Sequence, residues 1–220
     1  MNYLNKDTGT AGKVRSTLWA ESISIKQRCG GLCVYLVGSP LGLERHVEDK
    51  KRLGYTDLSK HVIVECDVNT YEALSEWCRE LYPEIKVILG DFLEVCKELN
   101  SGTVRIEHLD FDSVESFGFY SEEVVAWAIA ERVSNIHVVN SCRSGNGTYM
   151  ADKAREMSMP FVIKWGWRRY IYGPPKVREM IPVILSVYKD KYDVQCMSYR
   201  SIGKGKRGGQ GMIITVLNLR

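Results

Sequence analysis

The sequence predicts an α/β fold in which a doubly wound, mostly parallel sheet ends in an antiparallel strand pair. Short β-rich runs alternate with amphipathic stretches over residues 33–140. This alternation is typical of consecutive strand–helix units on a parallel sheet. The chain then closes with two β-rich runs joined by a loop rich in glycine and lysine, residues 201–210, and such a loop indicates a hairpin.

Each predicted strand is a short apolar run, and each predicted helix is an amphipathic stretch between two such runs. The predicted strands of the parallel part are residues 33–38, 61–66, 86–89, 104–110 and 136–140. The helices between them are residues 43–53, 69–82, 92–99 and 124–133, with Gly54 ending the first and with Asn69 and Ser121 as N-caps of the second and fourth. The later elements are a helix at 148–157, an extended segment at 160–165, a helix from Pro174 to about 188, and strands at 194–200 and 212–219.

The composition is that of an ordinary globular protein, with 220 residues, 45% hydrophobic and 26% charged. It excludes a disordered or fibrous chain. No apolar run is long enough to cross a membrane, and the polar start of the chain does not resemble a secretory signal, so we expect a cytoplasmic protein with no membrane partner. Seven cysteines without a C-x-x-C pair predict reduced, mostly buried thiols and no metal site. We divide the chain into an N-terminal arm, residues 1–30, and one α/β domain, residues 31–220.

Ligands of an open parallel sheet lie beyond the carboxyl ends of its strands, so the residues that follow each predicted strand are candidates for a site. Gly38-Ser39-Pro40-Leu41-Gly42 follows the first strand. Its two glycines allow a tight turn and a close approach of the backbone to a ligand, with helix N–H groups behind them. A simple strand-to-helix turn is the alternative, because the loop is not a complete G-x-G-x-x-G.

Acidic residues follow the second and third predicted strands. Glu65 could accept both hydroxyls of a ribose, whereas Asp67 is expected to begin the next helix. Asp91 could accept a hydrogen bond from an adenine amino group while the ring of Phe92 packs on the base. The alternative for Asp91 is a helix N-cap.

Asp110 and Asp112 stand at the end of the fourth predicted strand. Side chains two residues apart on a strand point to the same side, so these carboxylates could share a substrate or a cation. Asp110 is the best candidate for a catalytic residue, because it is expected at the ligand edge of the sheet. His108 points the same way one step earlier and is expected to be an interior histidine with satisfied hydrogen bonds.

Together these four junctions resemble those of the class I S-adenosylmethionine-dependent methyltransferases, a Rossmann-like family. The resemblance covers nearly all of the chain from residue 33 onward and includes the final antiparallel strand pair. It implies S-adenosylmethionine as the cofactor, with Gly38, Ser39 and Gly42 under its methionine part. It also implies ligand roles for four side chains, namely Glu65 at the ribose, Asp91 and Phe92 at the adenine, and Asp110 beside the transferred methyl group.

The last third of the chain points to a nucleic acid partner, with RNA favoured. Residues 141–220 carry 15 Lys or Arg against 5 Asp or Glu, and residues 161–172 interleave basic with aromatic side chains, the mixture used for phosphate and base contacts. The run Phe-Val-Ile-Lys at its start is similar to the strand that carries the active-site lysine of RNA ribose 2′-O-methyltransferases, which implies a catalytic pair of Asp110 and Lys164. The candidate substrate-binding residues are Trp165, Trp167, Arg168, Arg169, Lys204, Lys206 and Arg207. The alternatives are a packing role for the tryptophans and an exposed hairpin tip for the loop.

Three hypotheses follow. The first is a methyltransferase that acts on nucleic acid, mainly by aligning the methyl group with its acceptor. The second is a methyltransferase-like binding protein without turnover, because the family's glycine loop reads acid-x-G-x-G-x-G and residues 36–42 depart from it. The third is another nucleotide-using enzyme in which Asp110 and Asp112 hold Mg²⁺.

Overall fold

A seven-stranded mixed sheet forms the centre of the computed structural model. The structure describes residues 30–116, 118–141, 153, 156, 165–166, 169–170, 184–200 and 211–220. The strands in this part of the chain are β1 (Leu32–Tyr35), β2 (His61–Glu65), β3 (Lys86–Leu89), β4 (Ile106–Ser116), β5 (Asn135–Ser141), β6 (Trp165–Gly166), β7 (Arg169–Tyr170), β8 (Tyr192–Arg200) and β9 (Gly211–Leu219). β6 and β7 form a separate antiparallel ribbon.

The order of strands in the main sheet is β3-β2-β1-β4-β5-β9-β8. β1 to β5 are mutually parallel, β9 pairs antiparallel with β5, and β8 pairs antiparallel with β9. The predicted fold class is therefore confirmed, including the final antiparallel pair. The direction in which successive strands are added reverses between β1 and β4, which makes the carboxyl end of that pair the switch point where ligands of such sheets bind.

A helix follows each of the first four strands. These helices are α1 (Pro40–Arg52), α2 (Val68–Leu81), α3 (Phe92–Asn100) and α4 (Phe119–Ala130). The N-cap of α2 is Asp67, whose carboxylate accepts the backbone N–H of Thr70, so Asp67 begins the helix as predicted and Asn69 lies inside it. α4 begins two residues before Ser121, with Gly118 as its N-cap. The Ser121 hydroxyl is instead buried and accepts a hydrogen bond from the amide of Asn140.

The helices cover the sheet in two layers, each with its own hydrophobic core. Side chains alternate along β1, so that Val34 belongs to one core and Cys33 and Tyr35 belong to the other. The first core includes residues of α3 and α4, and the second includes residues of α1 and α2. This arrangement leaves the strand ends and helix starts at one edge of the sheet exposed to a ligand.

Three further sequence predictions concern local features. Among the described cysteines, Cys33, Cys78 and Cys96 are buried as predicted, whereas Cys66 is exposed and Cys196 is partly buried. The helix predicted to run to about residue 188 includes a 3-10 turn, Ser186–Tyr188, in its described part. No helix in the described ranges is long and apolar enough to cross a membrane.

Candidate functional site

The loop between β1 and α1 offers backbone to a ligand at the switch point. β1 ends at Tyr35, earlier than predicted, and Gly38 has a φ of +70°, a conformation that side chains with a Cβ rarely adopt. No described atom lies within 4 Å of the position that a Cβ on Gly38 would take. Ser39 is the N-cap of α1 but makes no capping bond through its side chain, and Pro40 follows it in the first turn. The loop therefore presents open space beside Gly38 and the start of a helix behind it.

Gly42 contributes to the tight turn, as predicted, and its contact with the methionine part stays a prediction. A Cβ on Gly42 would lie 3.4 Å from the carbonyl oxygen of Val37, and its N–H donates to the carbonyl of Ser39 over 3.0 Å. A side chain at position 42 would crowd the loop between β1 and α1, because the atoms nearest to a Cβ there belong to Val37 and Ser39. Of the two glycines, Gly38 is the one that faces open space.

Glu65 is the last residue of β2 and lies at the same edge. Its Oε1 accepts the backbone N–H groups of Cys66 and Asp67, each over 2.9 Å. These bonds fix the carboxylate at the turn, while no described residue bonds to Oε2. The position agrees with the predicted contact to a ribose, which stays a prediction.

Asp91 is the N-cap of α3, so the alternative weighed from the sequence is what the structure shows. Its Oδ1 accepts the N–H groups of Leu93 and Glu94, over 3.0 and 3.1 Å. The side chain is nevertheless exposed at the edge of the sheet. Capping and ligand contact are compatible, because an ionised carboxylate has about four acceptor positions.

The predicted contact between Phe92 and a base is wrong. Phe92 is only 4% exposed, and its ring packs against Phe111 of β4 with 5.2 Å between the ring centroids. As the first residue of α3 it points into the first core, because burial of a phenylalanine ring stabilises the fold by about 1.5–3 kcal/mol.

The aromatic residue beside Asp91 is Tyr120 of α4, which sequence reasoning missed. Its hydroxyl donates to Asp91 Oδ2 over 2.8 Å, and its ring lies 5.6 Å from that of Phe111. Burial and the hydrogen bond to Asp91 raise the pKa of the Tyr120 hydroxyl, so it stays protonated and donates. Tyr120 stands 29 residues from Asp91 in the chain, and the one signal in the sequence is the aromatic pair Phe119-Tyr120 after the fourth strand.

Asp110 is not the last residue of β4, contrary to the prediction, and its side chain is buried. β4 continues to Ser116, and Asp110 lies within it, paired with Tyr35 of β1 and His137 of β5. Its carboxylate forms an ion pair with the ammonium group of Lys50, and both side chains are 0% exposed. An unpaired acid is rarely buried in a strand, and the ion pair with Lys50 is what makes the acid tolerable there.

Lys50 was also missed, although the sequence carries a signal for it. Leu43, Val47 and Lys50 follow one another at helical spacing, and Leu43 and Val47 are buried in the second core. Lys50 therefore points to the sheet, where its Nζ lies 5.4 Å from the centroid of the Tyr35 ring.

Three buried histidines, one each on β2, β4 and β5, lie in the same part of the sheet. His61 Nε2 donates to the carbonyl of Tyr55, and His61 Nδ1 accepts from the Tyr35 hydroxyl. His108 is buried as predicted, but neither of its ring nitrogens has a hydrogen-bond partner among the described residues, and its ring packs edge-on against His137. Burial lowers the pKa of His61 and holds that of His108 well below its ordinary value.

The predicted catalytic residue Lys164 lies outside the described residues, and so do the predicted substrate-binding residues Trp167, Arg168, Lys204, Lys206 and Arg207. Trp165 and Arg169 are described in their backbone alone, as members of the ribbon of β6 and β7, and so is Asp112 in β4. Within the described part of the chain, no group of three or more His, Cys, Asp or Glu is placed to hold a metal ion.

Solved structures of methyltransferases share this arrangement of strands and helices. The chain is similar to a chain of the fibrillarin/Nop5p complex, with 15% identity, coverage of 94% of this chain and 81% of that one, and a TM-score of 0.53. A proposed RNA methyltransferase from Pyrococcus horikoshii has 14% identity, coverage of 98% and 88%, and a TM-score of 0.54. The O-methyltransferase TomG from Streptomyces achromogenes, involved in tomaymycin synthesis and solved in complex with S-adenosylmethionine, has 15% identity, coverage of 96% and 80%, and a TM-score of 0.52.

No protein-family model and no curated protein matches the sequence. The structural similarity shows the fold, which is that of the class I S-adenosylmethionine-dependent methyltransferases.

Proposed function

We propose that the protein is an S-adenosylmethionine-dependent methyltransferase whose cofactor lies across the carboxyl ends of β1, β2 and β3. One observation carries the proposal: Gly38, Glu65 and Asp91 stand at the same end of three adjacent parallel strands. Neighbouring strands are about 4.8 Å apart, so the three junctions span about 10 Å.

The residues at this edge fit the chemical groups of the cofactor. The open backbone at Gly38 and the start of α1 suit the methionine carboxylate, because helix N-termini favour anions. In this proposal Glu65 Oε2, to which no described residue bonds, accepts hydroxyls of the ribose, and Asp91 accepts a hydrogen bond from the amino group of the base. When bound, the cofactor supplies an activated methyl group, and the protein's own contribution is to hold that group in line with an acceptor.

We propose RNA as the favoured substrate class. One similar structure supports this substrate class, since it is a proposed RNA methyltransferase. In this chain the proposed contacts are the basic and aromatic residues Trp165, Trp167, Arg168, Arg169, Lys204, Lys206 and Arg207, with Lys164 as electrostatic support for the acceptor. Asp110 has no part in this proposal, because its carboxylate is buried against Lys50.

Calorimetric titration with S-adenosylhomocysteine tests the cofactor site. The wild-type protein is expected to bind, and Glu65→Gln and Asp91→Asn are each expected to weaken binding by about 1–3 kcal/mol, the cost of a hydrogen bond to a charged group. Glu76→Gln is the matched control, because Glu76 is an exposed residue within α2 rather than at the strand ends. Absence of binding by the wild-type protein would overturn the proposal.

A second function is a methyltransferase-like protein that binds cofactor or RNA without turnover. The burial of Asp110 favours it, since the acid that resemblance places beside the methyl group is held in an ion pair with Lys50 and is 0% exposed. Transfer of a radiolabelled methyl group from S-adenosylmethionine to total RNA separates the two functions. Incorporation supports the enzyme, and tight cofactor binding with no incorporation into RNA, protein or small molecules supports the binding protein.

A further inference from the structure

We propose that Tyr120 is a positioning residue that acts through Asp91 and makes the site selective for a 6-aminopurine over a 6-oxopurine. This inference rests on the proposed function, since it concerns the base of the same cofactor. Tyr120 lies in α4, whereas Asp91 is the N-cap of α3, so the sequence around Asp91 does not include Tyr120.

The hydrogen bonds of Asp91 leave one acceptor position open. Oδ1 accepts two backbone N–H groups, from Leu93 and Glu94, and Oδ2 accepts the Tyr120 hydroxyl. An ionised carboxylate has about four acceptor positions, so one position on Oδ2 is left. Because Asp91 is exposed, that position is available to a ligand.

Tyr120 is itself held in place. Its hydroxyl oxygen accepts the N–H of Leu93 over 3.2 Å, so its own proton is directed to Asp91 Oδ2. Its ring contacts Phe111, which in turn packs on Phe92 at the start of α3. These contacts join the end of β3, the strand β4 and the start of α4, and they fix where the open acceptor position of Oδ2 points.

A carboxylate held in this way can only accept a hydrogen bond. It therefore favours a base with an amino group and disfavours one whose carbonyl oxygen would face it. Without the Tyr120 hydroxyl, water is expected to occupy the acceptor position on Asp91 Oδ2 that Tyr120 now fills. The direction of the second acceptor position on Oδ2 is then no longer fixed. Preference for the amino group is then expected to fall by about tenfold, the range of a single hydrogen bond to a charged group.

The test compares S-adenosylhomocysteine with S-inosylhomocysteine, which differ in the 6-amino and 6-oxo groups, by calorimetric titration of the full chain. The wild-type protein is expected to prefer the adenine ligand. Tyr120→Phe is expected to reduce that preference about tenfold, mainly by weakening the adenine ligand. Tyr82→Phe is the matched control, because Tyr82 follows α2 and precedes β3, at the opposite end of the sheet.

A double-mutant cycle separates positioning from a structural role. If Tyr120 acts through Asp91, Tyr120→Phe has no further effect on the preference in an Asp91→Asn background, since the two effects are not additive. Equal weakening of both ligands by Tyr120→Phe, or additive effects with Asp91→Asn, would overturn the inference. Failure of the wild-type protein to bind either ligand would overturn the proposed function itself, and the inference with it.

Discussion

The ion pair of Lys50 and Asp110 shows what single residues contribute to this fold. Both charges are removed from water, which is costly unless each is paired. The pair joins the last turns of α1 to the middle of β4. In this position it fixes the helix whose first turn forms part of the proposed cofactor site.

Lys50→Met is expected to lower the free energy of unfolding by about 3–5 kcal/mol, because it leaves the Asp110 carboxylate buried without its partner. The double variant Lys50→Met/Asp110→Leu is expected to recover much of this loss. Urea unfolding measures both. Lys51→Met is the control, since Lys51 is partly exposed on the same helix; a loss from Lys50→Met no greater than that of the control would contradict the prediction.

The buried histidines predict a pH dependence of stability. His61 and His108 have a lowered pKa in the folded protein because of burial, whereas in the unfolded chain the pKa of a histidine is about 6.5. Below pH 6.5 the unfolded chain therefore binds more protons, and folding is disfavoured as the pH falls. Each histidine contributes up to about 1.4 kcal/mol per pH unit until its folded pKa is reached.

Urea unfolding between pH 7.5 and 5.5 measures this dependence, in a range above the titration of ordinary carboxylates. The wild-type protein is expected to lose stability as the pH falls, and His108→Leu is expected to lose less. A flat profile for the wild-type protein, or an unchanged slope in His108→Leu, would show that the buried histidines do not act in this way.

For single residues, the sequence predicts which positions lie at the strand ends. It does not predict the role of a side chain whose bonding partner is distant in the chain. Glu65 ends β2 and Asp91 comes two residues after β3, so both lie at strand ends as predicted. Asp110 was misplaced because the residue that neutralises it is 60 positions away, and local hydrophobicity carries no information about such a partner. Tyr120 was missed for the same reason.

The packing of β1 against β4 depends on Gly31, which precedes β1. A Cβ on Gly31 would lie 2.6 Å from the carbonyl oxygen of Arg105 and 2.7 Å from the Cβ of Glu107. The N–H of Gly31 also donates to the carboxylate of Glu107 over 2.7 Å. The two strands therefore approach each other closely where β1 begins.

Gly31→Ala is expected to lower the free energy of unfolding by about 1–3 kcal/mol, because a methyl group there forces the backbones of β1 and β4 apart. Gly30→Ala is a matched control, since no described atom lies within 4 Å of a Cβ at that position. Thermal or urea unfolding of the two variants gives the comparison. Equal stability of the two would contradict the close approach of the strands.

At the scale of elements, the sequence predicts cores of strands and helices better than their ends. β3 has the predicted bounds, Lys86–Leu89, because Gly90 and Asp91 stop the strand and start α3. β4 runs six residues past its predicted end, since the ladder with β5 resumes after an irregularity between Asp112 and Ser116. The end of β4 therefore depends on its pairing with β5, and the hydrophobic pattern of residues 104–116 alone does not contain that information.

The whole molecule carries its charges unevenly, and the proposed binding of RNA predicts a dependence on the basic residues of the last third of the chain. Neutralising Lys204, Lys206 and Arg207 together is expected to weaken binding to single-stranded RNA. It is also expected to reduce the slope of log K against log salt by about 2, because each neutralised phosphate adds about 0.7 to that slope. The control is a triple neutralisation of Lys51, Lys60 and Lys97, each of which already lies near a carboxylate. Fluorescence anisotropy over a range of salt concentrations measures both, and equal slopes for the two variants would exclude the hairpin loop as the RNA-binding segment.

At the level of the whole sheet, we propose that the ends of β1, β2 and β3 form one site for a nucleoside-containing cofactor. Hydrogen–deuterium exchange with and without S-adenosylhomocysteine tests it most directly, because it locates the ligand on the chain. The account predicts slower exchange in three segments, residues 36–43, 65–70 and 90–95, with no change in β8 and the start of β9. Protection confined to another part of the chain, or none at saturating ligand, would contradict it.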